Sequence, residues 1–126
     1  MSAPDDRVYS ESHEWHMTED GVVTIGITQF AVDQLTDVTF VEMKPVGTEV
    51  SPGDVIGEVE SVKTTSDIYA HVAGEIVEVN GDLESNPGAI NEDPYGGGWL
   101  CKIRMSDDSG LAKLVDAQTY EKEHAV

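Results

Sequence analysis

A chain of 126 residues with 39% hydrophobic content fits one compact domain, residues 1–126, with a modest core. Its 25 Asp+Glu against 7 Lys+Arg leave a formal charge of −18, which argues against nucleic acid and against an anionic membrane surface as partners. The lone cysteine, Cys101, excludes an intrachain disulfide, a CxxC redox pair and a zinc site built from several cysteines.

The polar stretch up to about Glu11 reads as frayed at its start, with residues 1–8 flexible. His13-Glu14-Trp15-His16-Met17 reads as an edge strand, and Glu19-Asp20-Gly21 as a turn. Val22 to Ile27 is rich in β-branched residues and reads as a strong strand. Thr28 is placed to cap a short helix running to Leu35. Val38 to Met43 returns to strand, Thr48 to Val50 is short and extended, and Ser51-Pro52-Gly53-Asp54 is a turn. Asp54 to Glu60 and Asp67 to Val72 alternate apolar and polar residues as half-buried strands do.

Further on, Ala73-Gly74-Glu75 reads as a turn, Ile76 to Asn80 as a strand, and 86–88 and 93–98 as loops. Trp99 to Met105 is the last strand, and Cys101 lies in it as a structural residue. Ser106 or Asp107 would cap a C-terminal helix carrying Leu111, Leu114 and Val115 on one face, with a second helical stretch from Ala117 to Lys122. There is a weak internal echo. Val50 to Val59 and Val72 to Val79 share an apolar residue, a glycine turn with an acid, and a strand ending in Glu-Val.

Lys63 lies between these two copies, at the tip of the hairpin Glu60-Ser61-Val62-Lys63-Thr64-Thr65-Ser66-Asp67. A lysine there, in so acidic a chain, presents its amine to solvent, where a modifying enzyme could reach it. The neighbouring acids Glu58, Glu60 and Asp67 read as part of a docking face for such an enzyme, against the plainer reading of a solvated hairpin. The overall charge reads first as a solubility feature, and second as a means of steering towards basic partners.

No nucleophile–base pair, HExxH, GxSxG or P-loop pattern is visible. His13, His16, His71 and His124 form no recognisable metal set and read as surface or packing residues. No apolar stretch has the length of a membrane span, and Met1 to Asp6 lacks the features of a signal or transit peptide. The expected location is cytoplasmic.

Gly57-Glu58-Val59-Glu60-Ser61-Val62-Lys63 with Ser66-Asp67-Ile68-Tyr69 resembles the lipoyl-attachment segment of the H protein of the glycine cleavage system. Ser12-His13-Glu14-Trp15, Gly21 to Thr28, Asn91 to Gly96 and Gly98-Trp99-Leu100 resemble further motifs of that family, in its order and spacing, from about Tyr9 to Tyr120. The resemblance implies a mainly β fold, the lipoyl/biotinyl-type barrel-sandwich hybrid with short peripheral helices including a C-terminal one. It implies lipoic acid bound covalently through Lys63. It also implies a cleft for the loaded arm, with Ser12, Glu14 and Asp67 as its residues.

The partners so implied are a pyridoxal-phosphate glycine decarboxylase, a tetrahydrofolate-dependent aminomethyltransferase and a dihydrolipoyl dehydrogenase. A lipoate ligase or octanoyltransferase would attach the group. A shuttle visiting several enzymes is expected to be a monomer and not itself an enzyme. The alternatives are a lipoate-relay protein and a biotinyl carrier, although biotin carriers usually have methionine on both sides of the lysine, where this chain has Val62 and Thr64.

Overall fold

The computed structural model describes residues 6–107 and 109–124. Among these described residues, nine strands form two antiparallel sheets. In chain order the elements are β1 (Val8–Tyr9), β2 (Glu14–Glu19), β3 (Val22–Ile27), α1 (Gln29–Leu35), β4 (Val38–Met43), β5 (Glu49–Val50), β6 (Val55–Ser61), β7 (Thr65–Tyr69) and β8 (Ala73–Val79). These are followed by α2 (Asp82–Ser85), α3 (Ala89–Glu92), β9 (Cys101–Asp107), a 3-10 turn at Ser109–Lys113 and α4 (Ala117–His124). The larger sheet has the order β1-β2-β3-β9-β8-β5, and the smaller is β4-β6-β7. Between them lies one apolar cluster that includes Val23, Ile25, Val41, Ile56, Val59, Ile68, Ile76 and Ile103. This is the barrel-sandwich architecture with short helices around it.

Local chemistry explains the joints. Asp20 and Gly21 both have positive φ, 52° and 80°, so β2 and β3 are joined by the two-residue turn whose twist suits adjacent antiparallel strands. Thr28 caps α1 by accepting from the amide of Ala31, and Val32 and Leu35 bury the inner face of that helix. A second apolar cluster of Tyr9, Trp15, Ala117 and Tyr120 docks α4 against the start of the chain. There Tyr120 Oη lies 2.7 Å from both Thr28 Oγ1 and His13 Nδ1.

Several elements differ from the sequence reading, each for a tertiary reason. Of the segment expected to be flexible, residues 1–5 lie outside the described residues, but Arg7 and Val8 are held. Val8–Tyr9 pairs with β2, Tyr9 bridges to Val115, and the Arg7 guanidinium lies 4.6 Å above the Trp15 ring. This added strand moves β2 in from the sheet edge.

Ala73-Gly74-Glu75 is not a turn but the start of β8. At Gly74 the backbone of β9 comes so close that a Cβ would collide with the Arg104 carbonyl, so the glycine serves strand contact, not chain reversal. The loops expected at 86–88 and 93–98 flank two short helices, α2 and α3, whose buried anchors are Leu83 and Ile90. The last strand begins at Cys101 and runs to Asp107, two residues beyond the expected end. The segment carrying Leu111 is a 3-10 turn, entered with the Ser109 amide donating to Asp107 Oδ1, and the longer C-terminal helix is α4.

The two copies of the sequence echo fall in opposite sheets, β6 in the smaller and β8 in the larger. The hairpin that carries Lys63 therefore projects from the smaller sheet.

Candidate functional site: the Lys63 hairpin and the Glu14 pocket

Strands β6 and β7 pair from Val55/Tyr69 to Glu60/Thr65, which leaves Val62, Lys63 and Thr64 as the exposed tip. Ser61 shapes this tip. Its hydroxyl accepts from the amides of Lys63 (3.2 Å) and Thr64 (3.1 Å) and donates to the Thr64 carbonyl (3.0 Å). Such a side-chain-closed turn fixes the backbone while leaving the lysine side chain free to project. Val62 beside it is 66% exposed, although its amide is anchored to the Asp37 carbonyl. Lys63 makes no ion pair among the described residues, so Glu58 and Glu60 flank it in sequence without holding its amine.

Asp67 stands on the outer face of the smaller sheet. The register aligns Glu42, Glu58 and Asp67 side by side across β4, β6 and β7, an acidic row at the foot of the Lys63 tip. Asp67 has no hydrogen-bond or ion-pair partner among the described residues and does not join the other two acceptors expected with it.

Ser12 and Glu14 do meet. Glu14 opens β2, and its side chain is fully buried. Ser10 Oγ donates to Oε1 at 2.6 Å, Ser12 Oγ donates to the same oxygen, and the Tyr69 amide donates to Oε2 at 3.1 Å. His71 Nε2 lies 2.9 Å from Oε1 and 3.2 Å from Ser12 Oγ. Burial by itself pushes the Glu14 carboxyl up, but donation from His71, Ser10, Ser12 and the Tyr69 amide outweighs it, and the group sits below its usual range. Glu14 is therefore a carboxylate, an acceptor only, which requires the proton on His71 Nε2.

Below this pair lies His16, 1% exposed, its ring edge-on to His71 at 5.3 Å between centroids. Burial, then the proximity of His71, drive its pKa down to about 3, so His16 is a neutral packing residue. Cys101 is equally inert: burial pushes its thiol up to about 12.

The cluster is not a nucleophile relay. Ser12 and Glu14 both approach the same nitrogen of His71, whereas a relay needs the serine on one ring nitrogen and the carboxylate on the other. Among the described residues no group of three or more His, Cys, Asp or Glu could hold a metal ion, and no helix is long and apolar enough to cross a membrane. The side chain of His124 lies outside the described residues. A surface depression of about 590 Å³ along β5, β8 and β9, lined by Val50, Gly74 and Arg104 among others, contains neither Lys63 nor Glu14.

Sequence reasoning missed Ser10 and His71 as members of the Glu14 site. They lie four residues before it and 57 after it. The first hides in a polar stretch, and the second reads as one more strand histidine.

Comparison with known proteins shows the family. The family model described as Glycine cleavage H-protein matches residues 7–125. The glycine cleavage system H protein of Chlorobium limicola is 51% identical over 124 residues, covering 97% of each chain. That of Thermus thermophilus is 49% identical over 122 residues, covering 97% of this chain and 95% of its own. The crystal structure of a glycine cleavage system H protein from Mycobacterium marinum superposes with a TM-score of 0.90 at 41% identity, covering 98% of this chain and 100% of that one. The chain belongs to the glycine cleavage H-protein family, the lipoyl-carrying subunit of the glycine cleavage system.

Proposed function

We propose that Lys63 is the lipoyl attachment site and that the protein works as a non-catalytic carrier. The observation that supports this most is the hairpin itself: a lysine at an exposed tip, on a backbone fixed by Ser61, with no ion-pair partner among the described residues. These features fit lipoic acid. An unpaired, solvent-facing amine is open to acylation, and amide formation removes its charge and leaves a long tether. When attached, lipoic acid supplies the sulfur chemistry, carrying an aminomethyl group from a glycine decarboxylase to an aminomethyltransferase and offering its dithiol to a dihydrolipoyl dehydrogenase.

The chain supplies presentation and shelter. Ser61 holds the tip outward. The row of Glu42, Glu58 and Asp67 offers an acidic face beside Lys63 to a lipoate ligase or octanoyltransferase and to the partner enzymes. Glu14, with Ser12 at its rim, is the acceptor for an ammonium delivered by the arm, while Asp67 belongs to the outward acidic row. Four residue steps of β7, at about 3.3 Å each, separate Thr65 at the tip from Tyr69 at the Glu14 pocket, a climb of roughly 13 Å. An extended lipoyl-lysine side chain spans such a distance. The carrier so described works in the cytoplasm as a monomer. Intact mass of protein from its native host tests the assignment: a lipoyl increment on the peptide containing Lys63 is expected, while a biotinyl increment or none would overturn it.

A further inference from the structure

We infer that His71 is the resident occupant of the Glu14 pocket and a positioning residue for the arm: a primary ammonium reaches Glu14 only by displacing the His71 ring. The inference rests on the reading of Glu14 as the arm's acceptor and adds to it what keeps that acceptor closed.

A carboxylate offers about four lone-pair sites. Glu14 already receives four donors: Ser10 Oγ, Ser12 Oγ, His71 Nε2 and the Tyr69 amide. Three of them, Ser10 Oγ, Ser12 Oγ and His71 Nε2, share Oε1, which has two lone pairs, while the Tyr69 amide takes Oε2. The carboxylate is fully buried, and the two donor side chains that reach the surface, Ser12 and His71, both bind Oε1, so a newcomer from solvent meets the oxygen on which no site remains. Three of the donors differ sharply from the fourth in what their departure would cost. The Tyr69 amide belongs to β7. Ser10 is 2% exposed and also bonds the Glu14 backbone at both its carbonyl and its amide. Ser12 is surface-exposed, but its hydroxyl can stay and accept from an ammonium as it now contacts His71.

His71 covers the carboxylate from outside. Its side chain is 26% exposed, and among the described residues its ring makes hydrogen bonds only to Glu14 and Ser12. Its main chain is fixed: Gly110 of the 3-10 turn packs so closely on the His71 carbonyl that a Cβ there would collide with it. Beneath the ring is neutral His16, in edge contact and without a hydrogen bond to it. The ring can therefore leave by side-chain rotation alone, with the backbone unmoved.

Exchange is also balanced in energy. An ammonium entering as the ring leaves keeps Glu14 paired throughout, so the penalty of a buried, under-solvated carboxylate is never met in either end state. The pocket is thus closed to water when the arm is absent and opens to a competitor bearing N–H donors. An uncharged arm has nothing to offer Glu14 and leaves His71 in place. That selectivity favours the aminomethyl-bearing arm over the oxidised or reduced arm.

The test uses the full chain acylated at Lys63 with either an octanoyl group or an acyl group of the same reach ending in a primary amine. The readouts are the side-chain ¹⁵N resonances of His71 and the side-chain ¹³C resonance of Glu14. The amine-ended arm is expected to shift both, and the octanoyl arm neither. A shift at Glu14 with His71 undisturbed would overturn the displacement and leave the acceptor role standing. No shift at either residue would remove the acceptor role itself.

His71→Ala provides a second measurement. Its thermal stability is expected to fall with the octanoyl arm and to recover with the amine-ended arm, which refills the pocket. Equal stability with both arms would count against the exchange. If His71→Ala does not fold, His71→Gln, which keeps a donor without the ring, is expected to show a smaller recovery of the same sign, and no recovery there would be equally damaging.

Discussion

The main-chain amide of Tyr69 donates to Oε2 of Glu14 at 3.1 Å, which fastens the base of the lysine hairpin to a carboxylate 55 residues earlier in the chain. The proposed attachment site and the proposed sheltering pocket are therefore joined by one strand: β7 runs from the Lys63 tip to Tyr69, whose amide bonds Glu14. Distance along β7, not a flexible loop, sets how far the arm must reach.

Replacing Lys63 with Arg should abolish lipoylation and glycine-dependent exchange of carbon dioxide in the reconstituted system, because a guanidinium is not acylated by the attaching enzyme. The exposed position predicts a change in unfolding free energy within about 0.5 kcal/mol. Intact mass, exchange activity and a urea melt on one preparation check this. Exchange that survives the substitution rules out Lys63.

Glu14→Ala removes the acceptor shared by Ser10, Ser12, His71 and the Tyr69 amide and strands buried donors. The expected destabilisation is about 3 kcal/mol by denaturant midpoint. Loss of the aminomethyl group from the loaded carrier should also speed up roughly tenfold, the loss of one charge-assisted bond worth about 1.5 kcal/mol. An unchanged rate of loss, in protein shown to be folded, removes Glu14 from the sheltering role.

Acid should weaken the fold through His16. Its pKa is held near 3 in the folded chain against 6.5 for a free imidazole, so between those values the unfolded state binds the extra proton. Stability from this group is complete above about pH 6.5 and is lost as pH falls, at up to about 1.4 kcal/mol per pH unit. Glu14 acts in the same direction at lower pH, since its depressed carboxyl stabilises the fold above its ordinary range and ceases to do so as pH falls through the folded value. Relief of repulsion among the many acids opposes both. The check is therefore a difference: the slope of urea midpoint against pH from 6.5 to 4.5 should be shallower in His16→Leu than in the parent chain. Equal slopes would show that His16 does not carry the effect.

Gly74→Ala should be costly despite its small size. The added methyl would meet the Arg104 carbonyl, and strands β8 and β9 must separate to admit it. The expected loss is about 3 kcal/mol. The comparison is Gly81→Ala, where a Cβ meets nothing nearby and the φ is negative, and where a change of under about 1 kcal/mol is expected. Similar melting temperatures for the two variants would contradict the close strand contact.

Much of this protein is local and so could be read directly. Alternation exposed β6 and, with its bounds moved from Asp67–Val72 to Thr65–Tyr69, β7, because the sheet repeat of two is written into neighbouring residues, and β-branched content exposed β3. Thr28 marked the start of α1, and Asp20-Gly21 marked a turn, because caps and turns depend on one or two side chains. Lys63 could be singled out because a hairpin tip between two alternating runs needs no distant partner to be exposed. The residues around it further resemble a known attachment segment.

What the chain order could not reveal depends on contacts across long separations. Gly74 looked like a turn because its reason for being glycine is the Arg104 carbonyl on a strand 30 residues away. The first strand looked frayed because, beyond its pairing with β2, it is held by Val115 and Tyr120 near the other end of the chain. Glu14 was one acid among 25 until folding buried it and brought Ser10, Ser12, His71 and the Tyr69 amide to its oxygens. Sequence determines which residues can donate, accept or be acylated. Only the tertiary structure decided that Ser12 and Glu14 would share a pocket closed by His71 while Asp67 faced outward, because burial and hydrogen-bond geometry are properties of the packed sheets and not of any local run.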